Sequence, residues 1–226
     1  MYDLEDLSVA YGETPVLAGI SLRIGAGEKV VVIGPSGVGK TTLLKKLYEL
    51  RQQQCAFIHQ DYALVPQLSA FHNVYIGRLD QRPTAANLLN LIRPRRQEIG
   101  EIRPIFAALG MEEKMFERVG NLSGGQQQRV SVGRAVYRGC DIILGDEPVS
   151  AIDPLQAGTV LQLIRKSAAT VVLAMHDVKL ALAHFPRIVG LREGDIAFDL
   201  PAADVDEEIL ADLYRGEASE AVEALP

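Results

Sequence analysis

A glycine-rich segment directly after a short apolar run is the feature that most constrains the fold of this chain. Val30 to Ile33 is typical of a buried strand, and the leucines between Thr41 and Leu50 have helical spacing. The connecting sequence is Gly34-Pro35-Ser36-Gly37-Val38-Gly39-Lys40-Thr41, called here the phosphate loop. Such a unit lets main-chain N–H groups converge on phosphate oxygens at the positive end of a helix. The sequence therefore predicts a nucleotide-binding loop.

Two side chains of the phosphate loop have an expected role at a triphosphate. Lys40 can span the β- and γ-phosphates, and the hydroxyl of Thr41 can ligate Mg²⁺. Thr42 follows directly and is included among the predicted nucleotide contacts. The alternative is an ordinary glycine-rich turn, but strand, loop and helix occur in the order that a phosphate site requires.

Predicted strands and helices alternate along most of the chain. Stretches 4–9 and 20–24 alternate apolar and polar residues, which predicts paired strands at a sheet edge. Further strands are predicted at 56–58, 142–144, 171–174, 188–191 and 196–198, and helices at 123–138, 154–166, 178–184 and 206–214. This order predicts a largely parallel α/β sheet that binds its ligand at the carboxyl ends of the strands.

The segment 61–121 differs from the residues on either side of it. Its helical patterns are punctuated by prolines, namely Pro66, Pro83, Pro94 and Pro104. We therefore predict a helical subdomain at 61–121, inserted into a nucleotide-binding core of residues 1–60 and 122–226 within one domain. The tail beyond Gly216 is expected to be disordered.

Composition and charge argue against several classes of protein. Lys and Arg number 23 against 29 Asp and Glu, and the formal charge of −6 argues against a nucleic acid partner. The basic cluster at 93–96 is interpreted as a solvated face. No run approaches the ~20 apolar residues that cross a bilayer, and the first residues lack the pattern of a secretory signal. Two cysteines without metal-ligand spacing, Cys55 and Cys140, fit a reducing cytosol.

Two adjacent carboxylates follow the apolar run at 142–144. Asp146 is placed to hold Mg²⁺, directly or through water, while Glu147 is the candidate to orient and polarise the attacking water. The alternative is a pair of acids that caps the loop before Pro148. The preceding strand favours the catalytic interpretation, because the carboxyl ends of parallel strands meet at one edge of a sheet.

A second anion site is suggested by Leu122-Ser123-Gly124-Gly125-Gln126, which opens a long predicted helix. The hydroxyl of Ser123 and the unobstructed amides at a positive helix end favour an anion. Taken alone, Ser123 fits a simple N-cap equally well.

Taken together, these motifs resemble those of the ATP-binding-cassette (ABC) ATPases, and the resemblance covers nearly the whole chain. It implies a P-loop NTPase (RecA-like) core that hydrolyses ATP with Mg²⁺. It also implies that the signature segment, Ser123-Gly124-Gly125-Gln126, contacts the γ-phosphate bound by another subunit. Each ATP would then be sandwiched between two chains, which we expect to be identical.

The resemblance assigns roles to four more residues. Tyr11 is similar to the aromatic residue that stacks on adenine, and Gln60 to the glutamine that contacts Mg²⁺ and the attacking water. His176 is similar to the switch histidine at the γ-phosphate, and Asp153 lies in a loop similar to the one that connects two ATP sites. The alternatives are that Tyr11 is an exposed hairpin residue, that Gln60 is a polar residue at the end of a strand, and that His176 has a structural role at the end of a strand.

One departure from the family pattern lies between Lys40 and Gln60. Only 19 residues separate them, fewer than the family normally places there. The small antiparallel β-subdomain is therefore expected to be trimmed.

Stretches 149–154, 187–194 and 206–210 resemble the ATPase subunits of phosphonate-type importers. This resemblance implies a dimer that closes and opens with ATP at the cytoplasmic face of the inner membrane, as a peripheral partner of a permease. A solute-binding protein would act indirectly. The alternatives are a soluble ATP-gated clamp or regulatory ATPase, and an exporter or lipid-extraction ATPase.

Overall fold

The computed structural model describes residues 2–215. Its strands are β1 (Tyr2–Tyr11), β2 (Thr14–Ile24), β3 (Lys29–Ile33), β4 (Cys55–Ile58), β5 (Ile142–Asp146), β6 (Thr170–Ala174), β7 (Arg187–Arg192) and β8 (Asp195–Pro201). Its helices are α1 (Lys40–Arg51), α2 (Ala70–Tyr75), α3 (Thr84–Ile92), α4 (Arg96–Ala108), α5 (Gly124–Arg138), α6 (Pro154–Ser167), α7 (Val178–His184) and α8 (Glu207–Leu213). Short 3₁₀ helices lie at Gln52–Gln54, Ile76–Gln81, Glu112–Lys114, Val119–Asn121 and Ala202–Asp204. The tail beyond Gly216, for which we expect disorder, lies outside the described residues.

The described residues form a six-stranded sheet in the order β4-β5-β6-β3-β7-β8. All neighbours run parallel except β7 and β8, which form an antiparallel hairpin. Strand β3 lies inside the sheet, where Val30 pairs with Val172 on one side and Arg187 on the other. The predicted, largely parallel sheet is therefore confirmed. The carboxyl end of β3 lies among those of its neighbours, near the middle of the sheet.

Alternate residues of the sheet pack into two hydrophobic cores, one on each face. Val30 and Val32 of β3 face the core that includes Leu43 of α1, while Val31 and Ile33 face the core built with α2, α4, α5 and α6. All five side chains are fully buried. Because successive side chains of a strand point to opposite faces, an unbroken apolar run is what a sheet covered on both sides requires.

The N-terminal strands pair antiparallel, as predicted, and they do so in a sheet of their own. Strands β1 and β2 form a separate two-stranded antiparallel sheet, in which Leu4 pairs with Leu22. The physical reason is that β2 packs its apolar face, including Leu17 and Ile20, on the α1 side of the core. A main-chain hydrogen bond of 2.9 Å from Ala18 to the carbonyl of Gly194 fastens it to the β7–β8 turn.

The segment 61–121 contains α2, α3 and α4 and no named strand in the described chain. Pro66, Pro83 and Pro94 lie outside these helices, whereas Pro104 lies inside α4. Proline removes one helical hydrogen bond. The fully buried Ile102 and Phe106 on either side of it hold α4 against the core and outweigh that loss.

Candidate functional site

The phosphate loop between β3 and α1 has backbone angles that favour glycine. The φ angles are +146° at Gly34, +78° at Gly37 and +109° at Gly39. A Cβ atom at Gly34 would lie 2.1 Å from the carbonyl oxygen of Leu191, and one at Gly39 would lie 2.7 Å from a methyl of Leu17. The glycines therefore permit both the turn and the close packing of the loop between β7 and β2.

Helix α1 begins with an end that favours an anion. Its N-cap is Gly39, no side chain among the described residues caps it, and its first turn contains no acidic residue. The ammonium group of Lys40 is buried and donates to the carbonyl oxygens of Gly34 (2.6 Å) and Pro35 (2.8 Å). The loop thus combines the positive end of a helix dipole with the Lys40 ammonium group, which lies against the backbone of the loop.

A hydroxyl and a carboxylate meet beside this loop. Oγ1 of Thr41 donates to Oδ2 of Asp146 at 2.7 Å, and Asp146 is buried at the end of β5. Thr42 is also buried, and Gln60 lies on the wall of the same cleft. Hydroxyl, carboxylate and amide oxygens are the ligands that Mg²⁺ takes in proteins, so this donor set fits that ion.

Glu147 is held in a strained backbone conformation at the start of the loop after β5. Its φ angle of +54° lies in the left-handed region, and its side chain is largely buried. Burial is the main cause that raises the pKa of Glu147 to about 7. The positive charge of Lys40 opposes this shift, and the negative charge of Asp146 adds to it.

His176 follows β6, the neighbour of β5, and reaches Glu147. Its Nε2 atom lies 3.1 Å from Oε1 of Glu147, an ion-pair distance without aligned hydrogen-bond geometry. The imidazole is half-exposed at the cleft, whereas the carboxylate lies in the cleft wall.

These residues line one cleft of about 360 Å³ above the carboxyl ends of the strands. Tyr11 lies at its rim, 60% exposed, at the end of β1. The predicted site residues on the cleft wall are Tyr11, Ser36, Gly37, Gly39, Lys40, Thr41, Thr42, Gln60, Asp146, Glu147 and His176. Gly34, Pro35 and Val38 belong to the phosphate loop without lining the cleft.

The signature segment lies outside this cleft. Ser123 caps α5 in a reciprocal capping box, in which its Oγ accepts from the N–H of Gln126 at 3.3 Å and Oε1 of Gln126 accepts from the N–H of Ser123 at 3.0 Å. Gly124 is exposed and Gly125 half-exposed. Asp153 is also outside the cleft, exposed at the N-cap of α6. One chain therefore presents the phosphate loop and the signature segment as two separate surfaces.

Sequence reasoning missed several residues around the cleft. Val16 lines it, and His59 lines an adjoining cleft of about 350 Å³ together with Gln60 and Asp146. Gln128 bonds to the backbone of Glu147 from the buried face of α5. The sequence did contain a signal, because Gln128 has helical spacing with the apolar Val132 and Ala135. It therefore lies on a buried helix face, where a side-chain amide needs hydrogen-bond partners.

Comparison with known proteins identifies the family. The family model described as ABC transporter matches residues 17–150, which is more than half of the chain. The chain belongs to the ABC transporter family. The suspected family and the P-loop fold class are therefore confirmed.

Individual ABC relatives are similar over nearly the whole chain. The phosphonates import ATP-binding protein PhnC of Pseudomonas putida is 40% identical, over 93% of this chain and 88% of the relative. PhnC 1 of Pseudomonas aeruginosa is 40% identical over 98% and 92%, and PhnC 1 of Pseudomonas syringae pv. tomato is 41% identical over 90% and 87%.

Solved structures of ABC cassettes share the fold. The dimeric structure of a bacterial ABC transporter cassette is 26% identical with a TM-score of 0.76, over 88% of this chain and 98% of that one. A dimeric post-hydrolysis cassette bound to ADP and Pi is 26% identical with a TM-score of 0.71, with the same coverage. Within residues 2–215, no helix combines the length and apolar character needed to span a membrane.

Proposed function

We propose that this chain is the ATP-hydrolysing subunit of an ABC importer for phosphonate or a related small solute. The observation that carries this proposal is the convergence of Lys40, Asp146, Glu147 and His176 on the cleft at the phosphate loop. The names of the import ATP-binding relatives support the direction of transport and the solute. They favour an importer over a soluble clamp, a regulatory ATPase or an exporter.

ATP binds at the phosphate loop in this proposal. The main-chain N–H groups of Gly34, Ser36, Gly37, Val38 and Gly39, with those at the start of α1, surround the phosphates, while Pro35 shapes the loop but has no N–H to donate. The ammonium group of Lys40 exchanges its two backbone carbonyl acceptors for phosphate oxygens, which carry full negative charge. Tyr11 stacks on adenine from the rim, where its ring is 60% exposed.

The proposed Mg²⁺ ligands are Thr41, Gln60 and Asp146. When bound, the ion neutralises charge on the β- and γ-phosphates. The 2.7 Å hydrogen bond between Thr41 and Asp146 supports this proposal, because it shows that these two oxygen atoms lie side by side. Asp146 carries the negative charge of the set, while Thr41 and Gln60 contribute neutral oxygens.

Glu147 is the proposed catalytic carboxylate. It orients a water beside the γ-phosphate and draws a proton from it, a role that suits a carboxyl group whose pKa is raised to about 7. His176 and Gln60 complete the catalytic set: His176 contacts the γ-phosphate, and its imidazole near Glu147 orients the carboxylate. Gln60, which also lines the cleft, would contact the attacking water and the metal.

A second copy of the chain completes each site in this proposal. Ser123, Gly124, Gly125 and Gln126 lie away from the cleft of their own subunit, so they are available to the nucleotide of another. Asp153 faces the same partner and links the two sites. Closure would follow ATP binding and opening would follow loss of the γ-phosphate, because only the triphosphate bridges both subunits.

A membrane permease is the proposed partner of the helical segment. We propose that 1–226 is one ABC ATPase domain, with a core of 1–60 and 122–226 and a helical subdomain at 61–121. Helix α3 in that subdomain exposes four apolar side chains, namely Leu88, Leu89, Leu91 and Ile92. A contiguous exposed apolar surface favours a protein contact, which would place the chain at the cytoplasmic face of the membrane. A solute-binding protein acts only through the permease.

The test is affinity purification from detergent-solubilised membranes. A tagged full-length chain should copurify with a multi-span protein, and Ile92→Glu should lose it because a charge replaces an 85% exposed apolar side chain. Leu50→Glu, at a 61% exposed leucine at the end of α1, is the matched control and should retain the partner. Recovery of soluble proteins alone with the unmodified chain would refute the transporter assignment.

A further inference from the structure

Gln128 is a buried polar residue that bonds to both ends of one short loop. It lies on α5 with 1% of its surface exposed. Its Nε2 atom donates to the carbonyl oxygen of Glu147 at 2.5 Å, and its Oε1 accepts from the main-chain N–H of Ala151 at 2.8 Å. Both atoms of the amide therefore bond to the backbone of the 147–151 loop.

The backbone of Glu147 depends on such bonds because its conformation is unfavourable. A φ angle of +54° places a non-glycine residue in the left-handed region. On one side its N–H donates to the carbonyl of Ala174 at 3.0 Å, and on the other its carbonyl accepts from Gln128 and from the hydroxyl of Ser150 at 3.2 Å. The direction in which the Glu147 carboxylate leaves the backbone is thereby fixed.

We propose that Gln128 is a positioning residue for ATP hydrolysis, which holds Glu147 at the cleft by fixing the two ends of the 147–151 loop. This inference rests on the proposed catalytic role of Glu147. Gln128 itself is remote from the nucleotide, since it is buried beneath the loop and does not line the cleft. It acts on the reaction only through the backbone of Glu147.

The position of Gln128 also connects Glu147 to the signature segment of the same chain. Gln128 lies on the first turns of α5, whose N-cap is Ser123. A Cβ atom at Gly125 would lie 2.5 Å from the carbonyl oxygen of Ala151, so the helix and the loop are in close backbone contact there as well. A displacement of the N-terminal end of α5 therefore changes the position of the loop that carries Glu147.

Gln128→Met tests the proposal, with Gln127→Met as the matched control. Methionine retains the length and volume of the side chain but makes neither hydrogen bond. We expect kcat for ATP hydrolysis by the full-length chain to fall about 10- to 100-fold, as for other supporting residues, with the equilibrium affinity for ATP unchanged within about 2-fold. Gln127 donates to the carbonyl of Leu122 at 2.9 Å, so its variant should retain normal hydrolysis.

A second variant separates the two hydrogen bonds and covers the case in which Gln128→Met fails to fold. Gln128→Glu in its ionised form retains an acceptor for the N–H of Ala151 but loses the donor to Glu147, so at a pH above the pKa of the buried carboxyl it should be as slow as Gln128→Met. Normal kcat in either folded variant would overturn the proposal.

A double variant shows whether Gln128 acts through Glu147. In the Glu147→Gln background, Gln128→Met should lower the residual rate by less than about 2-fold, because the group that it positions is already gone. If the double variant lowered the hydrolysis rate by the product of the two single reductions, the proposal would be overturned, but the role of Glu147 would stand. Normal hydrolysis by Glu147→Gln alone would instead refute the proposed role of Glu147, and this inference with it.

Discussion

Oε1 of Glu147 lies 3.1 Å from Nε2 of His176, and the two side chains come from loops that follow neighbouring parallel strands. The side chain of Glu147 is 8% exposed and that of His176 is 48% exposed. The pair therefore joins a carboxylate in the wall of the cleft to an imidazole at its surface. A parallel sheet produces this arrangement because the carboxyl ends of β5 and β6 lie side by side.

Glu147→Gln should bind ATP but lose most of its hydrolysis, by roughly 10² to 10⁴ in kcat, because an amide cannot accept the proton of the attacking water. Steady-state phosphate release and equilibrium nucleotide binding measure the two properties. Glu193→Gln is the control, since Glu193 has a similar φ of +52° but an 83% exposed side chain. Near-normal turnover by Glu147→Gln would remove this carboxylate from the mechanism.

The free energy of unfolding of the chain without nucleotide should decrease as pH rises, because of Glu147. Burial raises its pKa from 4.5 to about 7, so between these values the folded chain binds more protons than the unfolded chain, and stability decreases with pH. Glu147→Gln should therefore be about 1 to 3 kcal/mol more stable than the unmodified chain at about pH 8, the lower figure allowing for solvent screening. Urea unfolding should show that this difference shrinks towards about pH 5. An equal difference at both pH values would contradict the raised pKa.

Lys40→Ala should weaken ATP binding by about 10- to 100-fold, because a charge-assisted contact to the phosphates is lost. Isothermal titration with ATP measures the effect. Lys166→Ala, at an exposed lysine in the last turn of α6, controls for the change in net charge and should bind normally. Unchanged affinity in Lys40→Ala would contradict the phosphate loop assignment.

Ser123→Arg should abolish ATP-driven dimerisation while leaving the fold intact, because a large cation at the end of α5 fills the space that the second nucleotide requires. Size-exclusion chromatography with ATP measures the dimer, and circular dichroism measures the fold. Ser123→Thr retains a hydroxyl that can cap α5 and should dimerise. Intact ATP-dependent dimers of Ser123→Arg would count against a nucleotide shared between two chains.

Local sequence patterns predicted the elements that depend on short-range chemistry. The apolar run at 30–33 and the capping signal at Ser123 correspond to β3 and to the start of α5. Packing between distant parts of the chain was not predictable. The separate sheet of β1 and β2 depends on contacts with α1 and with Gly194, and the continuity of α4 through Pro104 depends on burial of its neighbours.

The motifs likewise predicted which side chains meet at the cleft but not how they are held. The order of strand, loop and helix indicated Lys40, Asp146 and Glu147. The bond between Gln128 and the carbonyl of Glu147 joins residues on different elements, so helical spacing predicts that Gln128 is buried but does not identify its partner.

The close approach of Gly34 to Leu191 determines when this protein becomes able to bind nucleotide. The phosphate loop lies in the first fifth of the chain, yet it rests against β7, and β3 pairs with β6 and β7, which follow it by more than a hundred residues. In a chain still emerging from the ribosome, the Gly-rich motif is present long before the strands that support it have been synthesised. Competence for ATP is therefore acquired only after β7 has been synthesised.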